Sequence, residues 1–486
     1  MHYIAIIDIG SNSVRLVIYR LHNGIYELFY NEKNSCRLGD LDEQNRLKDY
    51  SKQATLETLL RFAQIIRNFK ADIVQVVATA ALRDAVDGLV FSEFLSAQTG
   101  LKIEIISGTG EALLSAKGVK LLDNPQTGMV ADLGGGSLEL MDIATLADDV
   151  PHAISVPLGV LRLQAAQTPQ ELAEKIAISL AKWHYPFPQK HLYCVGGSWR
   201  ALALAYLYDK NYPVRMIQGY VISSHELCEF LIKLQTQPAF LQKLKVPAIS
   251  KKRLQSLPVA GELLDKLIQH FQFESVSFSM GGIREGVLYD YFTQFHPAYS
   301  HTALTFLKAK NQALARFPEM ADILYRVMKP LFFQSNIRIL YLLELFCYSS
   351  DLVWQTATDH RAETIFDMML YFELPHLSHQ EKLFLAYACA CRYQSDFKIP
   401  ESLLNHLKPA DSWLFWAKTA GMMVRYLYTL TGINKDLLAK LDVQWDGEHL
   451  AVTPLHEMLP CGQNTTKRYE NLCKHLGTLQ DNHWDE

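Results

Sequence analysis

The stretch Met129-Val130-Ala131-Asp132-Leu133-Gly134-Gly135-Gly136-Ser137-Leu138-Glu139-Leu140 decides how this chain is read. An apolar run carries the backbone to an Asp and three glycines turn it. A hydroxyl and a carboxylate then open a returning apolar run. Glycine reaches φ > 0 and puts no Cβ between backbone and ligand, so successive N–H groups can converge on phosphate oxygens. The runs 129–131 and 138–143 read as strands, which predicts a hairpin with a phosphate-sized tip. Asp132 stands where a carboxylate could hold a hydrated Mg²⁺ against those phosphates. A plain glycine-rich turn is the competing reading, and a second copy of the pattern weighs against it.

The copy is Asp8-Ile9-Gly10-Ser11-Asn12-Ser13, set between apolar runs at 3–7 and 14–19 that only Arg15 interrupts. Two Asp-x-Gly hairpins predict two related lobes facing one cleft. Each would offer an Asp and a cradle of N–H groups to opposite sides of one phosphate chain.

Around them strand and helix alternate. Residues 51–68 carry apolar side chains at helical spacing, 73–78 and 101–106 read as strands, and a short helix lies between Gly88 and Gly100. Thr109 is a plausible N-cap for a helix with Glu111 in its first turn. Arg83 and Glu111 both fall just past strand ends, where an α/β lobe places its working groups. Further on, a Pro-led helix is expected at 169–183. Strands at 192–195 and 276–280 run into Gly196-Gly197-Ser198 and Gly281-Gly282 before helices, an arrangement that makes an anion site or simply permits close packing. Lys243, Lys245, Lys251, Lys252 and Arg253 form a basic cluster, either a solvated face or a guide for a polyanion. From about residue 301 glycine and strand-like runs nearly vanish and long apolar-aromatic helical patterns take over. The expected organisation is a first lobe at 1–122, a second at 123–300 and an all-helical unit at 301–486.

With 486 residues each part can bury its own core, and a net charge of −4 gives no bulk electrostatic attraction for nucleic acid. The eight cysteines are scattered without a CxxC pair, as expected of reduced thiols in a cytoplasmic protein. Neither a signal segment nor an apolar run of membrane-spanning length is expected.

Collected in one cleft, these groups suit phosphoryl chemistry. Asp8, Asp132 and Glu139 would hold Mg²⁺ and the two loops would hold phosphate oxygens. Arg83 would neutralise charge on the phosphoryl group, and Glu111 would orient and deprotonate a water, with the helix dipole favouring its ionised form. The plainer readings are an ion pair of Arg83 with Asp84 or Asp87 and helix stabilisation by Glu111. The residues alone leave the substrate undefined.

The run 7–16, with its Asp-Ile-Gly-Ser-Asn-Ser core, resembles the first phosphate motif of the exopolyphosphatase / guanosine pentaphosphate phosphohydrolase (Ppx/GppA) family. Further similar stretches are 78–85, 105–112, 131–140, 158–163, 195–202 and 279–288, in order across residues 1 to about 300. The resemblance implies an α/β fold of two actin-like (ribonuclease-H-like, ASKHA) lobes. It also implies hydrolysis, dependent on Mg²⁺ or another divalent cation, of terminal phosphate from inorganic polyphosphate or of the 5′ γ-phosphate of guanosine pentaphosphate. By position, Glu111 matches the family's base and Arg83 its phosphate-binding arginine, while Asp8, Asp132 and Glu139 match its metal-associated carboxylates. Gly10, Ser11, Asn12, Gly134, Gly135, Gly136 and Ser137 match its phosphate loops, and Ser13, Gly196 and Gly197 are expected to bind phosphate beside them. The chain departs from many members in carrying Gly110 before the base and Asp87 in place of Asn. Its C-terminal part resembles a degenerate His-Asp (HD) domain with Ser350-Asp351 at the metal-pair position, which suggests roles in homodimer formation and polyphosphate guidance rather than a second metal site. Exopolyphosphatase is the first expectation, guanosine pentaphosphate hydrolysis the second, and a non-catalytic phosphate or alarmone sensor the third.

Overall fold

The computed structural model describes residues 2–22, 25–244, 246–247, 249–295, 301–332, 335–446, 449–455 and 458–477, and not the side chains at 238, 242 and 252. Lys245 and the side chain of Lys252 therefore lie outside the described residues. Two compact units are present, Met1–His301 and Thr302–Glu486.

The first unit holds two sheets. β1 (His2–Ile9), β2 (Val14–His22), β3 (Ile25–Asn34), β4 (Ile73–Ala78) and β5 (Ile103–Ile105) make one, in the order β3-β2-β1-β4-β5. β6 (Met129–Leu133), β7 (Leu138–Asp142), β8 (Ala153–Val156), β9 (His191–Val195), β10 (Val221–Ser223) and β11 (Ser275–Phe278) make the other, in the order β10-β11-β9-β6-β7-β8. The central strands are uninterrupted β-branched and apolar residues because both faces are covered. In each sheet an antiparallel hairpin leads, and its first strand then pairs in parallel with a strand reached through a crossover. Leaving aside the edge strand β10, the two sheets repeat one wiring.

The register repeats as well. Asp8 and Asp132 each sit one residue before the end of the leading strand, opposite Arg15 and Glu139 respectively. Both tips close alike: Gly10 N donates to Ser13 O at 3.1 Å and Gly134 N to Ser137 O at 3.0 Å.

Helices bind the sheets together. The helix Gly108–Asp123 lays Ala112, Ala116 and Val119 on the second sheet, whereas Leu288 and Phe292 of the helix Ile283–Phe295 pack on Ile4, Ile6 and Val17 of the first. The two helices cross closely enough that a Cβ at Gly118 would overlap the Gly282 backbone, and one at Gly286 the Leu114 carbonyl. Glycine at those positions is a packing requirement. The N-cap of the first helix is Ser107, whose Oγ accepts from Gly110 N at 3.0 Å, rather than the expected Thr109.

The second unit is helical, with one antiparallel hairpin added at Asp442–Trp445 and Leu450–Thr453. Asp351 is buried there and takes Arg392 at 2.7 Å and Arg316 at 3.3 Å on one carboxylate oxygen. Its partners are thus guanidinium groups, and among the described residues no cluster of His, Cys, Asp and Glu is placed to hold a metal ion.

Lys382, on the helix His379–Tyr393, is fully buried and its Nζ has no hydrogen-bond partner. Burial pulls its pKa down to about 8, with the charge of Glu373 offsetting part of the effect. A base depressed in the folded state destabilises fully below its folded pKa, and the penalty fades as pH rises towards the unfolded value of 10.5. Lys382→Met is therefore expected to stabilise the protein by about 1–4 kcal/mol at pH 7. In thermal melts the gain should shrink between pH 8 and 10.5, and an unchanged or lowered melting temperature at pH 7 would contradict this.

Candidate active site

The two hairpin tips meet. A Cβ at Gly135 would stand 3.1 Å from Ser11 Cβ, and one at Gly136 would stand 3.1 Å from Ser11 Oγ and 3.2 Å from Ala80 Cβ. Glycine at 135 and 136 lets the tips come this close. Their carbonyls are already occupied: Ser11 O accepts from Gly39 N at 2.7 Å, Asn12 O from Arg37 N at 3.2 Å, Gly134 O from Val160 N at 3.1 Å and Gly135 O from Leu161 N at 3.0 Å. By contrast, the N–H groups of Ser11, Asn12, Gly135 and Gly136 find no acceptor among the described residues. Locking the carbonyls outward presents the N–H dipoles to one space, the geometry of an anion cradle.

That space is a cleft of about 350 Å³. Gly10, Ser11, Asn12, Ser13, Gly134, Gly135, Gly136, Ser137, Gly196 and Gly197 all line it, as do Asp8, Glu111 and Asp132. Gly196 has φ of 105°, and a Cβ there would lie 3.1 Å from Asp132 Oδ1, so a side chain would crowd the carboxylate.

Two expected residues stand outside the lining. Glu139 is buried outside this lining, its Oε1 accepting from Ser155 at 2.7 Å. Burial, then the charges of Glu111 and Asp132, hold its pKa well above the usual carboxylate range, with Ser137 and Ser155 opposing the rise. Arg83 is turned away from the cleft, donating to Glu111 Oε2 at 3.0 Å and to the Ile106 carbonyl at 3.2 Å, with Asp84 3.4 Å away. Asp87 pairs with Lys52 at 2.7 Å and not with Arg83, so its extra charge is neutralised locally.

Glu111 is 5% exposed and faces the cleft. Burial raises its pKa to about 7, the charges of Asp132 and Asp8 adding to the rise and Arg83 opposing it. The helix dipole was expected to favour the ionised form, but desolvation and the neighbouring carboxylates outweigh it. The result is a carboxylate poised near neutrality, where a general base works best.

Asp132 Oδ2 accepts from Ser115 Oγ at 2.5 Å, and Asp8 faces the cleft with no hydrogen-bond donor among the described residues. Burial raises both pKa values and each carboxylate raises the other or a neighbour further. No closed cage of protein ligands forms. Mg²⁺ does not need one, because it keeps most of its waters and is held by one or two carboxylates together with substrate phosphates. Asp8 and Asp132, one from each hairpin, fit that requirement.

Five cations, Arg15, Lys33, Arg200, Arg253 and Arg284, also line the cleft, and Arg15 is the cross-strand partner of Asp8. Burial, reinforced by Arg253 and Arg15, lowers Lys33 to about 8, and burial with Arg284 lowers Arg15 to about 10. Cations crowded so as to depress one another are ready for an anion. Arg200 is fixed by the carbonyls of Ser279 and Met280, both at 3.1 Å. Glu285, bonded by Tyr19 at 2.8 Å, supplies a countercharge to Arg200 and Arg284. Sequence reading assigned no role to these residues apart from Arg253 in its basic cluster. The one available signal was Arg15, a charge inside an apolar strand.

The sequence pattern defining the Ppx/GppA phosphatase family matches residues 17–295. Retrograde regulation protein 2 of Saccharomyces cerevisiae is 26% identical over 330 residues, 58% of this chain and 54% of its own length. The chain thus spans about half the length of that curated relative. The crystal structure of an Aquifex aeolicus Ppx/GppA family member superposes with a TM-score of 0.53 at 24% identity, over 61% of this chain and 99% of that one. An exopolyphosphatase from Cytophaga hutchinsonii gives 0.52 at 19% identity, over 60% and 98%. These likenesses show the fold, two actin-like lobes around a cleft. The matched region takes in the whole second sheet and most of the cleft lining, and the chain belongs to the Ppx/GppA phosphatase family.

Proposed function

We propose that this protein is an exopolyphosphatase, a phosphoric anhydride hydrolase that removes the terminal phosphate of inorganic polyphosphate by attack of a water activated by Glu111. The observation that carries the reading is a single cleft lined by a buried carboxylate near pKa 7, five cations and two N–H cradles. A polyanion is drawn along Arg15, Lys33, Arg200, Arg253 and Arg284 until its end phosphate meets the N–H groups of the hairpin tips. Glu111, oriented by Arg83, accepts a proton from a water aligned with that phosphate. The cradles stabilise charge spread over the equatorial oxygens as the anhydride bond breaks. A divalent cation, when bound at Asp8 and Asp132, supplies further neutralisation of the phosphate oxygens. Ser115 holds Asp132 in place, and Ser155 holds the buried Glu139.

Guanosine pentaphosphate would use the same cleft, with the nucleoside beyond the five cations. The regulatory name of the yeast relative supports a third reading, binding without turnover. The buried, arginine-oriented base favours chemistry over sensing, since a pure binder gains nothing from a negative group facing its anion.

With Mg²⁺, phosphate release should be fastest from long-chain polyphosphate, slower from guanosine pentaphosphate and slowest from ATP. Glu111→Gln should lower kcat by about 10²–10⁴-fold while substrate still binds. Turnover undiminished in Glu111→Gln, or binding without release in the parent protein, would refute the proposal. The rate should fall as pH drops through about 7, where Glu111 takes up a proton. Arg83→Gln removes an interaction that lowers that pKa, so the acid limb of its pH–rate profile should move to higher pH. A limb that stays in place or moves down would show that Arg83 does not tune the base.

A further inference from the structure

Arg83 is held from two sides. Its Nη1 donates to Glu111 Oε2 at 3.0 Å and to the Ile106 carbonyl at 3.2 Å, while its Nε lies 3.4 Å from Asp84 Oδ1. The other carboxylate oxygen of Asp84, Oδ2, accepts from Arg162 Nη2 at 2.6 Å. One line of alternating charge therefore runs through Arg162, Asp84, Arg83 and Glu111. It begins at a side chain 44% exposed and ends at a buried carboxylate. Ion pairs between exposed groups contribute little to folding, so stability does not account for the outer pair.

Its position gives it another use. Asp84 ends the helix Ala80–Asp84, which follows β4 of the first sheet, and Arg162 stands in the helix Val160–Leu163, which follows β8 of the second. Both short helices abut the tip of the second hairpin. A Cβ at Gly136 would stand 3.2 Å from Ala80 Cβ. From the other side, Val160 N and Leu161 N donate to the carbonyls of Gly134 and Gly135, and a Cβ at Gly159 would overlap the backbone of Gly135 and Gly136. Arg162 is thus the next residue after the pair that locks the second N–H cradle. Arg83, Asp84 and Arg162 all stand outside the cleft lining.

We propose that Asp84 and Arg162 are positioning residues for the hydrolysis, which set the base Glu111 against the phosphate held by residues 134–137. This role rests on the exopolyphosphatase reading of the cleft. Asp84 fixes the Nε edge of a planar guanidinium whose Nη1 edge orients Glu111, and a plane clamped on both edges does not swing. Arg162 ties that clamp to the hairpin tip that carries the phosphate. A base displaced by about 1 Å can lose on the order of a hundredfold in rate, even when the substitution is remote from the reacting atoms.

Phosphate release from long-chain polyphosphate with Mg²⁺ tests this. Asp84→Asn and Arg162→Gln should each lower kcat about 10- to 100-fold and leave KM within about twofold of the parent, because neither side chain touches the substrate. Arg162→Lys keeps the charge of the pair and should recover most of the rate. Added to Arg83→Gln, the Asp84→Asn change should cost nothing further, because it acts through that arginine. Every variant should melt as the parent does. Unchanged kcat in both Asp84→Asn and Arg162→Gln, a loss confined to KM, or a full further loss on top of Arg83→Gln would overturn the proposal. Glu111→Gln separates this role from the reading beneath it. A parent protein that releases phosphate and loses that activity in Glu111→Gln keeps the exopolyphosphatase reading whatever Asp84 and Arg162 do. A parent without turnover, or one indifferent to Glu111→Gln, removes that reading and this role with it.

Discussion

Burial governs the carboxylates of this site: it is the largest influence on Asp8, Glu111, Asp132 and Glu139 and raises each of them. Asp132 adds its charge against Asp8, Glu111 and Glu139, Asp8 against Glu111, and Glu111 against Glu139. Such a group cannot all be ionised without compensation. Glu111 sits near neutrality beside Arg83, burial holds Glu139 well above the usual carboxylate range, and Asp8 and Asp132 face the cleft, where a cation could join them. Five cations line the same cleft, and Arg284 with Arg15 offsets part of the burial effect at Asp8, as Arg200 with Arg284 does at Asp132.

The fold makes this arrangement by using one device twice. Each sheet turns through an Asp-x-Gly hairpin closed by the same glycine N–H bond, and the tips are brought together until only glycine fits at 135 and 136. The crossing of the helices Gly108–Asp123 and Ile283–Phe295, each covering the other helix's neighbouring sheet, ties the two repeats into one body. Glu111 rides on the first of these helices and Arg284 begins the second, so base and one cleft cation are referenced to a single glycine-packed contact. The repeats differ where chemistry requires it. The position opposite the hairpin Asp is Arg15 in one and Glu139 in the other.

Much of this was legible in the sequence because it depends on local residue types at fixed spacing. The hairpins could be read from Asp-x-Gly between apolar runs, and the strand at Ile73–Ala78 from its β-branched run. Glu111 could be read from its place after a strand end. What could not be read depends on where side chains end up after folding. Lys33, Arg200 and Arg284 are ordinary cations in sequence and come to line one cleft only because their elements converge. Arg83 was expected to face phosphate and instead grips Glu111, since the helix start that carries Glu111 lies beside it. Gly281-Gly282 looked like either a phosphate loop or a packing site. A Cβ at Gly281 would overlap Gly118, so packing demands glycine there, whereas one at Gly282 would make only ordinary contacts, and Gly282 borders the cleft.

Attack on the terminal phosphorus by a water activated at Glu111, as proposed, leaves a solvent oxygen on the released phosphate. In a single turnover of long-chain polyphosphate in ¹⁸O-water with Mg²⁺, each released orthophosphate should carry one solvent-derived oxygen. The shortened polymer should carry none. Release of unlabelled phosphate, label in the remaining polymer, or bound polymer that yields no phosphate at all would contradict it.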